Sequence, residues 1–249
     1  MNRATHQSHL ERGLRALEML AAGQCTAAEI ARGLDVNRST ALRLLNELAK
    51  AGYVKRDDAS KHYRTVSERL YALAVSEQSP HDWTELIDPL LARLREEFGE
   101  STVLGVPANG SIVYLAFFPT DHPVSVRERI GSVRPMHASA LGKAYLAALD
   151  DRSLAIELQR VPFRGGTARA ALDPTELRVR LDDVRATGYA VDREETFDGV
   201  RCVAAAASVR GALVGAVGVS GPAQRFPDGS MTTIGERLIA ELASVEGRI

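Results

Sequence analysis

The sequence predicts an α+β protein in two parts: a small N-terminal unit of helices with a two-stranded hairpin, and a larger unit in which strands cluster among helices. Apolar residues recur at helical spacing through the first 50 residues, and from about residue 102 short apolar strands alternate with turn residues. The charge divides the chain similarly. Residues 1–64 contain 11 Lys and Arg against 7 Asp and Glu, whereas the remaining residues contain 20 against 25.

Length and composition indicate an ordinary globular protein. The 249 residues, of which 45% are hydrophobic and 25% charged, suffice for two domains with sizeable cores. The two cysteines, Cys25 and Cys202, lie far apart in sequence, which predicts neither a disulfide framework nor a zinc site. The first residues lack an apolar signal region and no run of about 18 apolar residues occurs. We therefore expect a location in the reducing cytoplasm and no membrane partner.

Three helices and a hairpin are predicted in the first unit. The first helix covers about residues 9–22. Thr26 followed by Glu29 predicts a capping box at the start of the second helix, and Asn37 or Ser39 starts the third. The two strands of the hairpin are expected at Tyr53–Arg56 and His62–Thr65.

This order of parts is that of a winged helix-turn-helix, in which the second helix of the motif enters the DNA major groove by its N-terminal end. Arginine can bind guanine through two hydrogen bonds, and a helix start favours a phosphate. A winged helix used only for protein contacts is the alternative, but it leaves the polar and basic residues 38–43 unexplained. The predicted contacts to double-stranded DNA are Thr26, Asn37, Arg38, Ser39, Thr40, Arg43, Lys61 and Arg64.

The second part of the chain is predicted to begin with a linker helix from residue 66, followed by a long amphipathic helix that ends near Phe98. Asn109-Gly110 predicts a hairpin between two apolar strands, and Asp173-Pro-Thr-Glu176 opens a helix. Further helices are expected at Ala138–Leu149 and at about 228–246. The expected strands are Thr102–Pro107, Ser111–Phe117, Val124–Ile130, Tyr189–Asp192, Arg201–Val209 and Leu213–Ser220.

The chain resembles the IclR-type bacterial transcription regulators over nearly its whole length. Many winged helices share the first matching passage, whereas all the passages in this order and spacing are specific to the family. The passages are Arg38–Leu45 with Gly52–Val54, then Met136–Ala144, then Gly188–Glu195, Gly199–Ala205 and Val219–Pro222.

The resemblance implies a winged helix-turn-helix domain at residues 1–65, a linker helix at 66–80, and an effector-binding domain at 81–249. The last is expected to be GAF-like, with a curved antiparallel sheet. The family also implies homodimers that often pair as dimers of dimers, near-palindromic operators of catabolic operons, and control by a small organic acid; no cofactor is implied. The effector contacts that the resemblance carries over are Val126, Ala140, Leu141, Gly142, Asp192, Cys202 and Ser220.

The chemistry of these positions suits an acid. Ala140 and Leu141 lie at a helix start, where free N–H groups attract a carboxylate, and Gly142 permits a close approach of the backbone. An ionised Asp192 would repel that carboxylate, which favours a ligand with an additional hydroxyl or keto oxygen. The family often has a serine where Gly218 stands. Its loss is expected to open volume, which favours an aromatic carboxylate over a small keto acid.

Two other classes of protein are weighed against a ligand-controlled regulator. An enzyme is disfavoured because Gly142-Lys143 lacks the rest of a phosphate-loop pattern and Ser139 does not stand in a nucleophile elbow. The six histidines never reach metal-ligand spacing. A DNA-binding protein without an effector is the other alternative. Without the resemblance, Cys202 in an apolar strand is more often a buried small hydrophobe than a ligand contact.

Overall fold

A computed structural model of the chain describes residues 8–23, 25–66, 70, 81–126 and 128–246. The chain divides into two compact units, residues 1–80 and 81–249. The predicted linker helix lies almost entirely outside the described residues, and the three-domain division stays a prediction. No helix in the described ranges is both long enough and apolar enough to cross a membrane.

The N-terminal unit has the predicted sequence of helices and strands. Its apolar residues, among them Leu20, Ile30 and Leu45, pack into one core. Cys25 adds a bridge that the sequence did not predict, because its backbone exchanges two hydrogen bonds with that of Tyr63 at 2.8 and 3.2 Å. The elements are α1 (His9–Ala22), α2 (Ala27–Gly33), α3 (Arg38–Lys50), β1 (Val54–Arg56) and β2 (Tyr63–Thr65).

Side-chain caps explain where α2 and α3 begin. Thr26 and Glu29 form the predicted capping box at α2. The Asn37 side chain accepts the Thr40 N–H at 2.8 Å, so Asn37 rather than Ser39 is the N-cap of α3. The turn between the two helices contains Asp35 in the left-handed region, at φ +52°. These local signals explain why the helix-turn-helix could be predicted correctly from the sequence.

The C-terminal unit is built on a six-stranded antiparallel sheet in the order β5-β4-β3-β8-β7-β6. The predicted α+β class is confirmed. The strands are β3 (Ser101–Ala108), β4 (Ser111–Phe118), β5 (Val133–Pro135), β6 (Ala190–Arg193), β7 (Val200–Val209) and β8 (Ala212–Pro222). The helices are α4 (His81–Phe98), α5 (Ala140–Ala147), α6 (Asp151–Arg160), α7 (Pro174–Thr187) and α8 (Asp228–Glu246), with a 3₁₀ turn at Ala223–Arg225.

Two hydrophobic cores lie on opposite faces of this sheet. Alternate residues of β7 contribute to each core, as the pleat requires. Cys202 and Ala204 pack with residues of α5, α6 and α7. Val203 and Ala205 pack with residues of α4 and α8. Because both faces are covered, the strands are more continuously apolar than a half-exposed sheet would allow.

Three sequence-based assignments need correction. No strand forms in the described residues 124–126 and 128–130, where Val124–Ile130 was predicted, and the strand that pairs with β4 is β5 instead. Val124 and Ile130 are 69% and 65% exposed, so their apparent alternation does not mark a buried face. Helix α5 begins at Ala140, two residues later than predicted. Helix α6 was not predicted, although Asp150 caps it by accepting two N–H groups.

Candidate DNA-binding surface and effector cavity

The start of α3 presents polar side chains outward while its apolar residues face the core. Arg38, Ser39 and Arg43 are exposed, and Thr40 is half-buried. The Ser39 hydroxyl donates to the Asn37 side chain at 2.8 Å. Asn37 and Ser39, two of the predicted DNA contacts, are therefore partly engaged in forming the cap. The side chains of Arg38 and Arg43 extend into solvent.

The wing adds further cations. Lys61 and Arg64 are exposed, as predicted. The antiparallel register places Lys55 opposite Arg64, and the exposed Arg56 packs over the Tyr63 ring at 5.8 Å from its centroid. Lys55 and Arg56 were missed, although two adjacent cations in a predicted wing strand could have indicated a basic edge. Among the described residues, the cations at positions 38, 43, 61 and 64 form no salt bridge, although the Arg43 charge adds to the His9 hydrogen bond in lowering the pKa of Glu47.

Thr26 is the least suited of the predicted DNA contacts. Its hydroxyl donates to Glu29 Oε2 at 2.8 Å and accepts the Glu29 N–H at 3.3 Å. Hydrogen bonds from Thr26 lower the pKa of Glu29 below its ordinary value, so the carboxylate is ionised. A phosphate would have to displace a capping bond and approach a negative charge.

Three predicted effector contacts form a row across adjacent strands. Asp192 on β6 lies opposite Cys202 on β7, which lies opposite Ser220 on β8. Directly opposed residues share one face of a sheet, and all three side chains are buried. Together with Val126, Ala140 and Leu141 they line a partly open cavity of about 20 Å³. This volume is close to the minimum that one water molecule requires.

The start of α5 supplies backbone donors to this cavity. Ser139 caps the helix by accepting the Gly142 N–H at 3.1 Å. The N–H groups of Ala140 and Leu141 belong to the first turn, whose amides have no partner within the helix. This arrangement agrees with the expected attraction for a carboxylate.

Gly142 does not line the cavity. A Cβ at this position would lie 2.6 Å from Met136 Cα and closer still to the Met136 carbonyl oxygen. The close backbone approach that the glycine permits is therefore to the segment before α5. Gly142 is absent from the wall of this cavity, and its contact with the effector stays a prediction.

Gly218 does not open the cavity either. A Cβ there would lie 3.1 Å from the Val203 carbonyl oxygen and 3.2 Å from Leu141 Cδ2. The space beside this glycine is already filled by neighbouring groups, and Gly218 is not part of the cavity wall. The sequence-based argument that its missing side chain makes room for a larger ligand is wrong.

The structure adds a cation and two aromatic rings that the sequence reasoning missed. The Arg134 guanidinium lies 5.5 Å from the Tyr114 ring centroid and 5.1 Å from that of Phe197. Arg134 Nε donates to Glu128 Oε1 at 2.9 Å, and Arg134 Nη2 donates to the other oxygen of the same carboxylate. Arg134 stands two residues before the Met136–Ala144 passage, and this nearness in sequence could have identified it as a candidate site residue. The additional wall residues are Tyr114, Glu128, Arg134, Ser139, Thr196, Phe197 and Val200.

Asp192 connects the cavity to a buried ion pair. Its carboxyl group accepts the N–H of Glu195 at 2.6 Å and that of Thr196 at 3.2 Å. Burial nevertheless raises the pKa of Asp192, which lessens its repulsion of an acid. The Glu195 side chain pairs with Lys143 and Arg180. Burial lowers the pKa of Lys143.

A roomier cleft, of about 350 Å³, adjoins this ion pair on α7, β6 and α8. Its charged side chains are largely paired with each other: Arg180 with Glu195, and Arg193 with Asp228 at 3.3 Å. None of the predicted effector contacts lines it. Elsewhere in the described ranges, no group of three or more His, Cys, Asp or Glu side chains is arranged to hold a metal ion.

A winged helix-turn-helix with an exposed basic helix start, in a chain whose second unit has a polar cavity, is the architecture of a DNA-binding transcriptional regulator. The family model of the IclR helix-turn-helix domain matches residues 9–58. That of the bacterial transcriptional regulator IclR C-terminal domain matches residues 76–245. The chain belongs to the IclR family, and the resemblance seen in the sequence is confirmed.

Individual relatives agree with this assignment. The chain is 35% identical over 230 residues to the glycerol operon regulatory protein of Streptomyces coelicolor, covering 87% of this chain and 85% of that protein. Its fold is similar to a putative IclR regulator from Silicibacter, with a TM-score of 0.79, 24% identity, and coverage of 97% and 96%. An IclR homologue from Microbacterium hydrocarbonoxydans, crystallised with 4-hydroxybenzoate, has a TM-score of 0.76, 22% identity, and coverage of 97% and 100%. These relatives are regulators, which is a non-enzymatic role.

Proposed function

We propose that a small organic acid binds the partly open cavity and changes the affinity of the winged helix for operator DNA. The observation that carries this proposal is the convergence of polar groups on one cavity. The row Asp192–Cys202–Ser220 lies in the same cavity wall as the start of α5, and the wall also contains Arg134 paired with Glu128. Convergent polar groups in a concave site are typical of ligand sites.

An aromatic carboxylate is the first candidate for the effector. Tyr114 and Phe197 flank the Arg134 guanidinium, whose charge is paired with Glu128, and the two rings add aromatic surface to the cavity wall, which suits an aromatic acid. The complex of the Microbacterium homologue with 4-hydroxybenzoate supports the same class. The present volume requires the cavity to expand. Phe197 is 46% exposed, so displacing its ring outward opens the wall at a low packing cost.

A two- or three-carbon keto acid is the second candidate. The cavity volume of about 20 Å³ favours this class, because the smallest ligand requires the least expansion of the cavity. A keto acid would still present a carboxylate to the start of α5 and an oxygen to the opposite wall.

The proposal includes homodimers, and dimers of dimers, bound to near-palindromic operators in the cytoplasm. Each pair of recognition helices would match half-sites about 34 Å apart, or a multiple of that distance. The effector can alter this binding only if it favours one arrangement of the two DNA-binding domains. The winged helix is proposed to contact DNA through Arg38 and Arg43, and Lys61 and Arg64 are proposed to contact the flanking DNA backbone.

Arg43→Ala is expected to weaken specific operator binding by about 1–3 kcal/mol, because a guanidinium bound to a base edge would be lost. Electrophoretic mobility shift or fluorescence anisotropy at one fixed salt concentration measures the change. Arg178→Ala is the matched control, since Arg178 is equally exposed but lies on α7 of the C-terminal unit. Unchanged operator affinity in the Arg43 variant would contradict the assignment of the recognition helix.

Ser220→Ala and Cys202→Ala are expected to weaken binding of the effector, since each removes a polar group from the cavity wall. Isothermal titration with 4-hydroxybenzoate and with pyruvate identifies the class that binds. Saturating acid is then expected to change operator affinity by about 1–3 kcal/mol, the usual size of such coupling.

Thr232→Ala is the control for this experiment, because Thr232 lines the roomier cleft instead. If only the Thr232 variant loses binding, the acid occupies that cleft and the proposed site is wrong. If operator affinity is equal with and without every acid, the chain is a DNA-binding protein without an effector of this class.

A further inference from the structure

We infer that Glu128 is a built-in competitor of the effector: its carboxylate holds the Arg134 guanidinium at the cavity wall, and an entering acid binds by displacing it. This inference rests on the proposed function. It assigns an autoinhibitory role to Glu128 and makes Arg134 the cation that the acid gains. The family resemblance supplied a role for neither residue.

Glu128 and Arg134 form the paired contact that a free acid would make. Arg134 Nε donates to one oxygen of the Glu128 carboxylate at 2.9 Å, and Nη2 donates to the other oxygen. Two parallel charge-assisted hydrogen bonds give such a pair both strength and a fixed geometry. Burial acts to lower the pKa of Arg134, but hydrogen bonding to Glu128 raises it above its ordinary value. A small carboxylic acid presents the same two oxygens, so it can take the place of Glu128 on Arg134.

The charges at the cavity wall show why the two carboxylates compete. Among the described residues that line the cavity, Arg134 is the only cation, whereas Glu128 and Asp192 are both acids. The side chains of Glu128 and Arg134 are 7% and 17% exposed, so their pair is only weakly screened. While Glu128 remains in place, an entering carboxylate meets a cation that is already paired, and a buried charge without a partner is costly. The acid gains the Arg134 charge only if Glu128 leaves.

The segment that contains Glu128 can move at a low packing cost. Glu128 lies between β4 and β5, outside the strands of the sheet. Val124 and Ile130 on either side of it are 69% and 65% exposed, so an outward movement loses little buried apolar surface. The segment remains tied to the sheet, because the Gly131 N–H donates to the Tyr114 carbonyl oxygen at 2.8 Å. Glu128 can therefore release its partner and return to it.

Release of Glu128 also supplies room for the acid. The cavity of about 20 Å³ is close to the minimum for one water molecule, and Glu128 forms part of its wall. A carboxylate that moves out of the wall leaves space for an entering carboxylate of the same size. One oxygen of the acid can then accept from Arg134, while the other accepts from the free N–H groups at the start of α5. The exchange of charges and the expansion of the cavity accompany each other.

Opposite effects of removing the two halves of this ion pair test the inference on the full chain. Isothermal titration with 4-hydroxybenzoate and with pyruvate compares wild type with Glu128→Gln and Arg134→Gln. Glu128→Gln is expected to bind the acid about tenfold more tightly, because a neutral amide holds the guanidinium less strongly. Arg134→Gln is expected to bind it about tenfold more weakly, since the acid then gains no cation. Glu157→Gln, which removes the acid of an ion pair with Arg160 on α6, is the matched control and is expected to bind like wild type.

A neutral analogue separates the effect of charge from that of volume. 4-Hydroxybenzamide has no carboxylate to exchange for that of Glu128, so Glu128→Gln is expected to leave its binding unchanged. An equal gain for the amide and the acid would mean that the substitution only opens the cavity, and would overturn the inference.

The outcomes also separate the inference from the proposed function. An ion pair that merely braces the wall would weaken binding of the acid in both variants. Weaker or unchanged binding by Glu128→Gln, or unchanged binding by Arg134→Gln, therefore overturns the inference and leaves the effector site standing. If neither wild type nor Glu128→Gln binds either acid, both are overturned. Thermal melts show which variants fold, and Glu128→Ala, with the same expected gain, replaces the glutamine variant if that variant does not.

Discussion

Gly142→Ala is expected to destabilise the C-terminal unit by about 3–5 kcal/mol, at the upper end for a single substitution. The added Cβ would overlap the backbone of Met136, with its Cα 2.6 Å and its carbonyl carbon 2.7 Å away. Backbone atoms cannot move aside as a flexible side chain does, so the start of α5 would have to shift. Urea denaturation followed by circular dichroism measures the loss.

Gly229→Ala is the matched control. Gly229 also lies near the start of a helix, α8, but a Cβ there meets no atom within 4 Å. Because alanine favours helix more than glycine does, this control is expected to be neutral or to stabilise by up to about 1 kcal/mol. Equal unfolding midpoints for the two alanine variants would show that the segment before α5 yields readily, and that Gly142 is not required for packing.

Glu195→Gln is expected to destabilise the unit by about 3 kcal/mol, because it leaves the Lys143 ammonium buried without its counter-ion. The two side chains are 8% and 3% exposed, so water cannot replace the lost charge. This expected loss lies at the lower end of the range for breaking buried ion pairs. The glutamine amide oxygen can still accept a hydrogen bond from Lys143, and Lys143 can lose its proton and so avoid an unpaired charge. Chemical denaturation at neutral pH gives the difference from wild type.

The pH dependence of the Glu195 variant provides a second measurement. Burial lowers the pKa of Lys143, so the unfolded chain binds this proton more tightly than the folded chain does. Loss of Glu195 widens that difference, and stability then rises with pH toward the ordinary lysine pKa. The deficit is therefore expected to shrink from neutral to alkaline pH. Glu236→Gln, an exposed substitution on α8, is expected to show neither effect; a constant deficit would mean that Lys143 is already neutral.

Much of the fold could be predicted because its signals are local. The capping box at Thr26, the turn at Asn109-Gly110 and the cap at Asp173 each specify a helix start or a hairpin within four residues. The strand prediction at Val124–Ile130 failed because alternation alone does not show which face is buried. Helix α6 was missed, although Asp150 stands at its start.

The candidate site was predictable only where the family motif fixes a position. The row of Asp192, Cys202 and Ser220 was found in this way, whereas Arg134 and Phe197 reach the cavity through tertiary packing that no local spacing encodes. The role of a glycine is hard to predict from sequence for a related physical reason. A glycine can be required by the backbone that packs against it, and only coordinates show that the neighbour at Gly142 is Met136.

The order of strands in the sheet has a consequence for folding kinetics. Strands β3, β4 and β5 are consecutive in sequence, as are β6, β7 and β8, and two-residue turns join β3 to β4 and β7 to β8. The two blocks are joined by β3 and β8, which pair Ser101 with Ser220 and close the longest loop in the sheet. We expect this pairing to be the slow step, because the entropy of a long loop is lost before its contacts form. Because the cavity takes Tyr114 from one block and Asp192 from the other, its wall is complete only once β3 and β8 have paired.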